Sequence, residues 1–202
     1  MDILKNTYQH PAFSEEDLKL IFESHEKMFF KKGDFFLKEN EVANEYFILE
    51  SGVSRSFVYD VDNNDITINV YDVDNNDITI NFFTESDIVI EASSIFQRIP
   101  SMENIQAETD CIVWKIDYDD FQELFLTIPA LAEWGRAWMS YQLFYLKQKS
   151  VEVITKSATE RYLDLIQEKS EVLKFAPLKN IASYLGITDT SLSRIRKEIV
   201  KR

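Results

Sequence analysis

Residues 177–199 read PLKNIASYLGITDTSLSRIRKEI, a pattern that predicts two short helices joined by a tight turn. Gly186 ends the first helix, because glycine adopts the positive φ of a helix C-terminus most easily, and Thr188 can cap the second. Ala182 is too small to hold the two helices apart. The spacing is typical of a helix-turn-helix, and an ordinary helical hairpin with a solvated face is the alternative. The apolar positions are Ile181, Leu185, Leu192, Ile195 and Ile199.

The second helix of this hairpin presents a polar face that becomes basic towards its end. Short polar side chains followed by cations suit a helix that enters the major groove of DNA. The sequence therefore predicts a set of DNA-binding residues on this face. They are Thr188, Asp189, Thr190, Ser191, Ser193, Arg194 and Lys197.

Charge is divided unevenly along the chain of 202 residues. The net charge is −13, yet residues 1–150 carry −16 and residues 151–202 carry +3. An acidic body with a basic tip directs one end of the molecule towards phosphate. We expect modest non-specific affinity for DNA with a strong dependence on salt.

Composition excludes several other classes. No apolar run approaches the roughly 20 residues of a membrane span, and the first residues lack the apolar core of a signal peptide, so we expect a cytoplasmic location. Cys111 is the single cysteine, which excludes internal disulfides and iron–sulfur sites. His10 and His25 are too few for a metal-binding cupin, and no nucleophile–base set is visible. The sequence predicts no cofactor and no enzyme.

The front half is predicted to be rich in β-strands. Ser14, followed by three acidic residues, predicts a helix that runs to about Glu23. From Met28 onward, short β-rich runs alternate with turn signals up to Ile116, and we count the segment DIVIEASSIF at residues 87–96 among the strands. Closely spaced strands of this kind predict an all-β sandwich or barrel.

The sequence VYDVDNNDITIN occurs twice in tandem, at residues 58–69 and 70–81. Each copy is predicted as strand, turn and strand, so the second copy could lengthen a surface hairpin without changing which side chains face inward. A recent duplication, a cloning scar or an error in the recorded sequence would explain the identity equally well. The Asp-x-Asp-x-Asn spacing mimics a calcium loop, but Asp65 and Asp77 fill its glycine position, so we interpret it as a solvated turn.

Pro129 opens a long helix that is predicted to run to about Ile154. The helix is apolar on two faces, so it must be covered twice: once by the β domain and once by its own copy in a parallel dimer. A core helix within a single chain is the alternative. A capping box from Ser157 to Glu160 then marks a new helix and a boundary near residue 156. The two stripes are Leu131, Trp134, Trp138, Tyr141 and Tyr145, and Met139, Leu143, Leu146, Ser150 and Val153.

These features together resemble the Crp/Fnr family of bacterial transcription regulators. The resemblance is carried by GDFFLKENEVANEYFILESGVSRSF at the front, and by ERYLDLI and PLKNIASYLGITDTSLSRIR at the back. It implies an α+β fold with an N-terminal double-stranded β-helix (a jelly roll of the cyclic-nucleotide-binding type) at residues 1–128, a dimerisation helix at 129–156 and a helix-turn-helix domain at 157–202. The implied partners are a second copy, double-stranded DNA, RNA polymerase and a small-molecule effector.

The resemblance fails at the phosphate pocket. Members that bind cyclic AMP have Gly-Glu-Leu followed about ten residues later by Arg-Ser; here Glu91 matches the glutamate, but Ile90 replaces the glycine, and Ser101 and Met102 replace the arginine and serine. A phosphate taken out of water needs a cation or several N–H donors. Arg98, which lies close in sequence, is the candidate to replace the missing arginine. We therefore expect the candidate effector pocket to bind a ligand other than cyclic AMP, or no ligand.

The recognition helix also departs from the family. Members that read guanine-rich half-sites use Arg-Glu-x-x-x-Arg, of which this chain keeps only Arg194, our expected bidentate contact to guanine. Thr188 and Ser191 would hold phosphate at the helix start. The sequence thus predicts a dimeric, sequence-specific DNA-binding regulator with an unknown effector. The alternatives are a cyclic-nucleotide-responsive regulator and a cupin-like small-molecule enzyme or carrier.

Overall fold

The computed structural model describes residues 2–59 and 77–200, and within these ranges the chain is a mixed α+β protein. The strands are β1 (Glu26–Phe30), β2 (Phe35–Leu37), β3 (Glu45–Ser51), β4 (Ser54–Tyr59), β5 (Asp77–Phe83), β6 (Ile88–Val89), β7 (Asn104–Ala107) and β8 (Cys111–Asp117). The helices are α1 (Asp2–Thr7), α2 (Glu15–Glu23), α3 (Ala92–Gln97), α4 (Tyr118–Thr127), α5 (Pro129–Thr155), α6 (Ala158–Glu168), α7 (Ser170–Phe175), α8 (Leu178–Tyr184) and α9 (Asp189–Val200).

The strands form two four-stranded antiparallel sheets, which confirms the predicted β-roll. Their orders are β1-β8-β3-β6 and β2-β7-β4-β5, so neighbours in each sheet are mostly distant in sequence. Apolar side chains from both sheets fill the space between them, among them Ile48, Val113 and Ile105. Gly52 joins β3 to β4 with a φ of +104°, and a Cβ there would lie 2.5 Å from the carbonyl oxygen of Asp110. The turn therefore requires glycine.

The N-terminal helices close one end of the roll. The helix start predicted at Ser14 is confirmed, and it is a capping box: the side chains of Ser14 and Asp17 each accept a hydrogen bond from the other's backbone N–H. The Nδ1 of His25 lies 2.7 Å from the carbonyl oxygen of Ile21, so His25 Nε2 accepts from the hydroxyl of Tyr8 at 3.1 Å. Burial lowers the pKa of His25 to about 4, so this histidine is a neutral part of the core.

In the front half, the segment at residues 87–96 differs from the sequence prediction, and most of the tandem repeat lies outside the described residues. The segment DIVIEASSIF is not all strand: only β6 is extended, and α3 follows it. The reason is local, because the carboxylate of Glu91 accepts hydrogen bonds from the N–H groups of Ser93 and Ser94 and so caps a helix. The hairpin and the Asp-x-Asp-x-Asn turn expected from the tandem repeat fall largely on residues 60–76, outside the described residues.

The predicted long helix is confirmed as α5, with Pro129 in its first turn. Its first turns bury Leu131 and Trp134 against the roll, and Gly135 lets the ring of Phe125 approach closely. Tyr141, which belongs to the same predicted stripe as Leu131 and Trp134, is 65% exposed. Packing of this stripe against the roll ends before Tyr141, because the roll extends only along the first part of the helix. In the part of the chain that is described, no helix has both the length and the apolarity needed to cross a membrane.

The C-terminal helices share a core with the roll. The capping box at Ser157 is confirmed, and the short helix α7 lies between α6 and α8. Val53 and Phe82 of the roll belong to the same buried cluster as Ile181 and Leu192. The backbone N–H of Thr79 on β5 also donates to the hydroxyl of Ser183 on α8 at 3.0 Å. The helices after residue 156 therefore pack directly on the second sheet.

Candidate nucleic-acid interface and ligand cavity

Helix α9 is held by one face and exposes the other. Leu192 and Ile195 are buried, and Thr188 caps the helix by accepting a hydrogen bond from the N–H of Ser191 at 3.1 Å. Thr188 and Ser191 are half-buried at the start of the helix. The remaining predicted contact residues are all exposed on one side of α9. They are Asp189, Thr190, Ser193, Arg194 and Lys197.

The turn before α9 is fixed by its backbone and by Arg161. Gly186 has a φ of +65° with open space where a Cβ would stand, so glycine is needed there for its conformation. The N–H of Ile187 donates to the carbonyl of Ala182 at 3.0 Å, which closes the end of α8. The guanidinium of Arg161 donates to the carbonyl of Leu185 at 2.8 Å and to that of Lys156 at 2.7 Å. These bonds fix the end of α8, and with it the turn that leads into α9, beside the start of α6.

A buried polar network joins this hairpin to the roll. Arg55 contacts Glu108 at 2.6 Å and Asp77 at 2.5 Å, and its guanidinium lies over the ring of Phe57. Glu108 also accepts a hydrogen bond of 2.6 Å from the side-chain amide of Asn180 on α8. All of these charges are buried or nearly so, and such groups are costly unless each has its partner. The orientation of α8 is therefore tied to the second sheet by charge as well as by packing.

A second contact between the two parts is made by Lys169. Its ammonium group lies 2.8 Å from the carboxylate of Asp87 and also donates to the carbonyl of Phe82. Lys169 stands between α6 and α7, whereas Asp87 lies in the turn between β5 and β6. The contact therefore fixes the start of α7 beside the edge of the roll.

A cavity of about 630 Å³ lies where the roll, α5 and the C-terminal helices meet. A volume of this size suits a small molecule. Phe83, Ile90 and Phe96 form its wall on the roll, and Leu143 and Leu146 line it from α5. Arg161, Leu165, Tyr184 and Leu185 complete it from the C-terminal helices. An occupant would touch the parts of the chain before and after the long helix.

The two cations that line the cavity are already engaged. Lys149 lies 2.7 Å from Glu168 and 3.4 Å from Glu152, and Arg161 donates to the backbone carbonyls described above. Burial alone would lower the pKa of Lys149, but its hydrogen bond to Glu168 and the nearby negative charges raise it overall. Lys149 therefore stays charged and paired, and it is not available to an anion.

The structure divides the predicted pocket residues into two groups. Ile90 and Glu91 line the cavity, whereas Arg98, Ser101 and Met102 do not. Arg98 donates to the carbonyl of Ala43 at 2.5 Å and to the side chain of Asn44 at 2.6 Å, so it does not replace the missing arginine. Ser101 is buried and donates to the backbone of Glu103, and Met102 is 80% exposed.

Two acidic groups of the cavity, Glu91 and Glu103, lie on its roll side, whereas Glu152, Asp164 and Glu168 line it from α5 and α6. The carboxylate of Glu91 is bound to the first N–H groups of α3, the donors that a bound anion would otherwise use. Burial raises the pKa of Glu103, the hydrogen bond from Ser56 opposes this rise, and repulsion from Glu91 adds to it. No ion pair joins either carboxylate to another described residue. Sequence reasoning missed Glu103, although it directly follows the substituted Ser101 and Met102.

A continuous apolar surface remains along the second half of α5. Met139, Leu143 and Leu146 of the second predicted stripe are all more than half exposed, whereas Trp138 of the first stripe is half-buried against the roll. The side chains of Phe144, Val153 and Ile154 extend this exposed surface. Among the described residues, no cluster of histidine, cysteine and carboxylate side chains is arranged to hold a metal ion.

Comparisons with known proteins agree with this architecture. Residues 27–127 match the family described as the cyclic nucleotide-binding domain, so half of the chain lies in the match and the chain belongs to that family. No curated protein matches the chain by sequence.

Solved structures resemble the chain far beyond the matched segment. FixK2 from Bradyrhizobium japonicum is 17% identical over 88% of this chain and 85% of its own, with a TM-score of 0.69. A transcriptional regulator of the Crp/Fnr family from Eubacterium rectale is 18% identical over 97% and 88%, with a TM-score of 0.67. The catabolite activator protein of Thermus thermophilus is 12% identical over 98% and 87%, with a TM-score of 0.55. The chain therefore has the fold of Crp/Fnr-type regulators, roll and C-terminal helices included.

Proposed function

We propose that this protein is a dimeric, sequence-specific DNA-binding transcription regulator of the Crp/Fnr type, and not an enzyme. The observation that carries the proposal is the exposed polar and basic face of α9, presented by a rigid turn at the basic end of an acidic chain. Arg194 and Lys197 are exposed, and neither is paired with a described residue. A helix held by its apolar side with free cations outward is suited to the major groove.

Selection of bound duplexes from a random pool tests the proposal. The expected result is enrichment of a two-fold symmetric site whose half-sites lie about one helical turn of DNA apart. A guanine in each half-site is expected, because an exposed arginine such as Arg194 can make a bidentate contact to guanine. Binding should weaken steeply with salt. A pool that shows no enrichment after several rounds would contradict the proposal.

The proposed dimer forms through the exposed apolar face of α5. Two copies of this face can bury each other in a parallel arrangement and place two α9 helices on one side of the dimer. Leu146→Asp should give a monomer at micromolar concentration in analytical ultracentrifugation, with greatly weakened DNA binding. Leu126→Asp is the matched control, since Leu126 is 87% exposed at the end of α4 and lies outside α5. Equal dimerisation of both variants would overturn this interface.

We further propose that the effector, if one acts, is not a cyclic nucleotide. The cavity has carboxylates where a phosphate would need cations, and the first N–H groups of α3 are already occupied by Glu91. Membership of the cyclic nucleotide-binding family favours the second candidate, a cyclic-nucleotide-responsive regulator. Calorimetry with cyclic AMP and cyclic GMP separates the two. We expect no binding at millimolar nucleotide, and clear saturable heat would favour the second candidate.

A further inference from the structure

The cavity between the roll, α5 and α6 has a charge pattern that selects its ligand. Its walls are largely apolar: Phe83, Ile90, Phe96 and Leu143 surround the roll end. Two carboxylates, Glu91 and Glu103, are the charged groups of this end, and neither is in an ion pair with a described residue. At the opposite end, by contrast, Lys149 forms ion pairs with Glu168 and Glu152, and Lys156 forms ion pairs with Glu152 and Asp164.

The negative charges of Glu91 and Glu103 repel each other. Both side chains line the one cavity; burial raises the pKa of the half-buried Glu103, and repulsion from Glu91 adds to this rise. A positive group between them and the apolar walls would relieve this repulsion and would gain from the low dielectric of the site. A negative group would meet two like charges and no free cation, a combination that disfavours binding strongly.

We propose that the cavity binds a small, mainly apolar molecule with a protonated amine, placing the ammonium group at Glu91 and Glu103. The apolar body would lie along Phe83 and Phe96 on the roll side and reach towards Leu165 on α6 and Tyr184 on α8. This inference deepens the proposed function, because the same cavity would be its effector site. It concerns binding alone, however, and is measured without DNA, so each proposal can fail independently.

The alternative is that both carboxylates are purely structural. Glu91 caps α3, and Glu103 accepts a hydrogen bond from Ser56, so each has a local role without a ligand. A purely structural role predicts that removing the charge of Glu103 leaves the preference of the cavity for an amine unchanged. The charge preference is therefore the quantity to measure.

The experiment uses three probes with the same apolar body: phenylbutylamine, phenylbutanol and phenylbutyrate. Each is titrated into the full-length protein at neutral pH in a calorimeter. The amine should bind about tenfold tighter than the alcohol, a difference of about 1.4 kcal/mol, and the carboxylate should bind weakest. Trp138 lines the cavity, so its fluorescence should respond to the amine.

Two variants locate the effect. Glu103→Gln keeps the size and the hydrogen-bond acceptor but removes the charge, and it should reduce the amine's advantage to about threefold or less. Glu85→Gln is the matched control, since Glu85 is exposed in the turn after β5 and does not line the cavity; it should leave the advantage unchanged. Tighter binding of phenylbutyrate, no binding of the amine at millimolar concentration, or equal preference in both variants would each overturn the proposal.

Discussion

The cavity and helix α9 both carry arginine or lysine, yet their charges suit ligands of opposite sign. On α9, Arg194 and Lys197 extend into solvent and are not paired with described residues. In the cavity, Lys149 and Arg161 have given their hydrogen bonds to carboxylates and backbone carbonyls. The presence of a cation therefore does not make an anion site. What decides is whether its donors are still free, because an occupied cation offers a phosphate little net energy.

The two regions are also physically linked. The network of Arg55, Glu108 and Asn180 joins the second sheet to α8, and α6 contributes Arg161 both to the cavity wall and to the turn before α9. A molecule in the cavity would therefore lie next to the residues that orient the proposed recognition helix. Substitutions at this link, at the turn before α9 and in the cavity test how each region contributes.

The largest effect is expected at the link. Glu108→Ala removes the shared partner of Arg55 and Asn180 and leaves both buried and less well satisfied. We expect a loss of about 3 kcal/mol in the free energy of unfolding, measured by urea titration. Glu85→Ala, at an exposed site, should change stability by about 0.5 kcal/mol or less. Similar effects of both substitutions would mean that the network does not hold α8 to the roll.

A medium effect is expected at the turn before α9. Thr188→Ala removes the side-chain oxygen that accepts from the N–H of Ser191, and loss of such a cap costs about 1 kcal/mol. Thr190→Ala is the control, because Thr190 is exposed on α9 and is outside the cap. Chemical denaturation should separate the variants. If Thr190→Ala were as destabilising, the cap would not be what fixes the helix start.

The smallest effect is expected in the cavity and has a definite sign. The pKa of Glu103 is raised in the folded protein, so the folded state binds the proton more tightly, and its stability falls as pH rises from the ordinary glutamate range through the raised pKa. Glu103→Gln should remove this penalty and stabilise the protein at neutral pH by about 0.5 kcal/mol or less, since the group is partly exposed. The gain should vanish in acid. A less stable variant at neutral pH would contradict this electrostatic reading.

Much of the fold could be predicted because its signals are local. The capping boxes at Ser14 and Ser157, the proline at the start of α5 and the positive-φ glycine before α9 each act within a few residues. Alternation of short β-rich runs was enough to predict the roll. The exposed side of α9 followed from the same periodicity that buries Leu192 and Ile195.

The rest depends on contacts between distant parts of the chain. Glu108 and Asn180 are 72 residues apart, and neither carries a local signal for the other. The same holds for Arg161 and Lys149, whose roles in the cavity depend on how α6 packs beside α5. Helix α3 was missed because its apolar residues resemble a strand, and only the capping carboxylate of Glu91 decides for a helix. Of the residues that line the cavity, the sequence analysis thus predicted Ile90 and Glu91 as pocket residues, but not Glu103, Lys149 or Arg161.

The most direct test of the account compares Arg194→Ala with Arg196→Ala in anisotropy titrations on the selected duplex and on a random one. Arg196 is a neighbouring exposed arginine on the same helix. Arg194→Ala should cost about 1–3 kcal/mol on the selected site and much less on random DNA, whereas Arg196→Ala should weaken both slightly and equally. Equal losses on the two duplexes for Arg194→Ala would contradict the claim that α9 reads sequence.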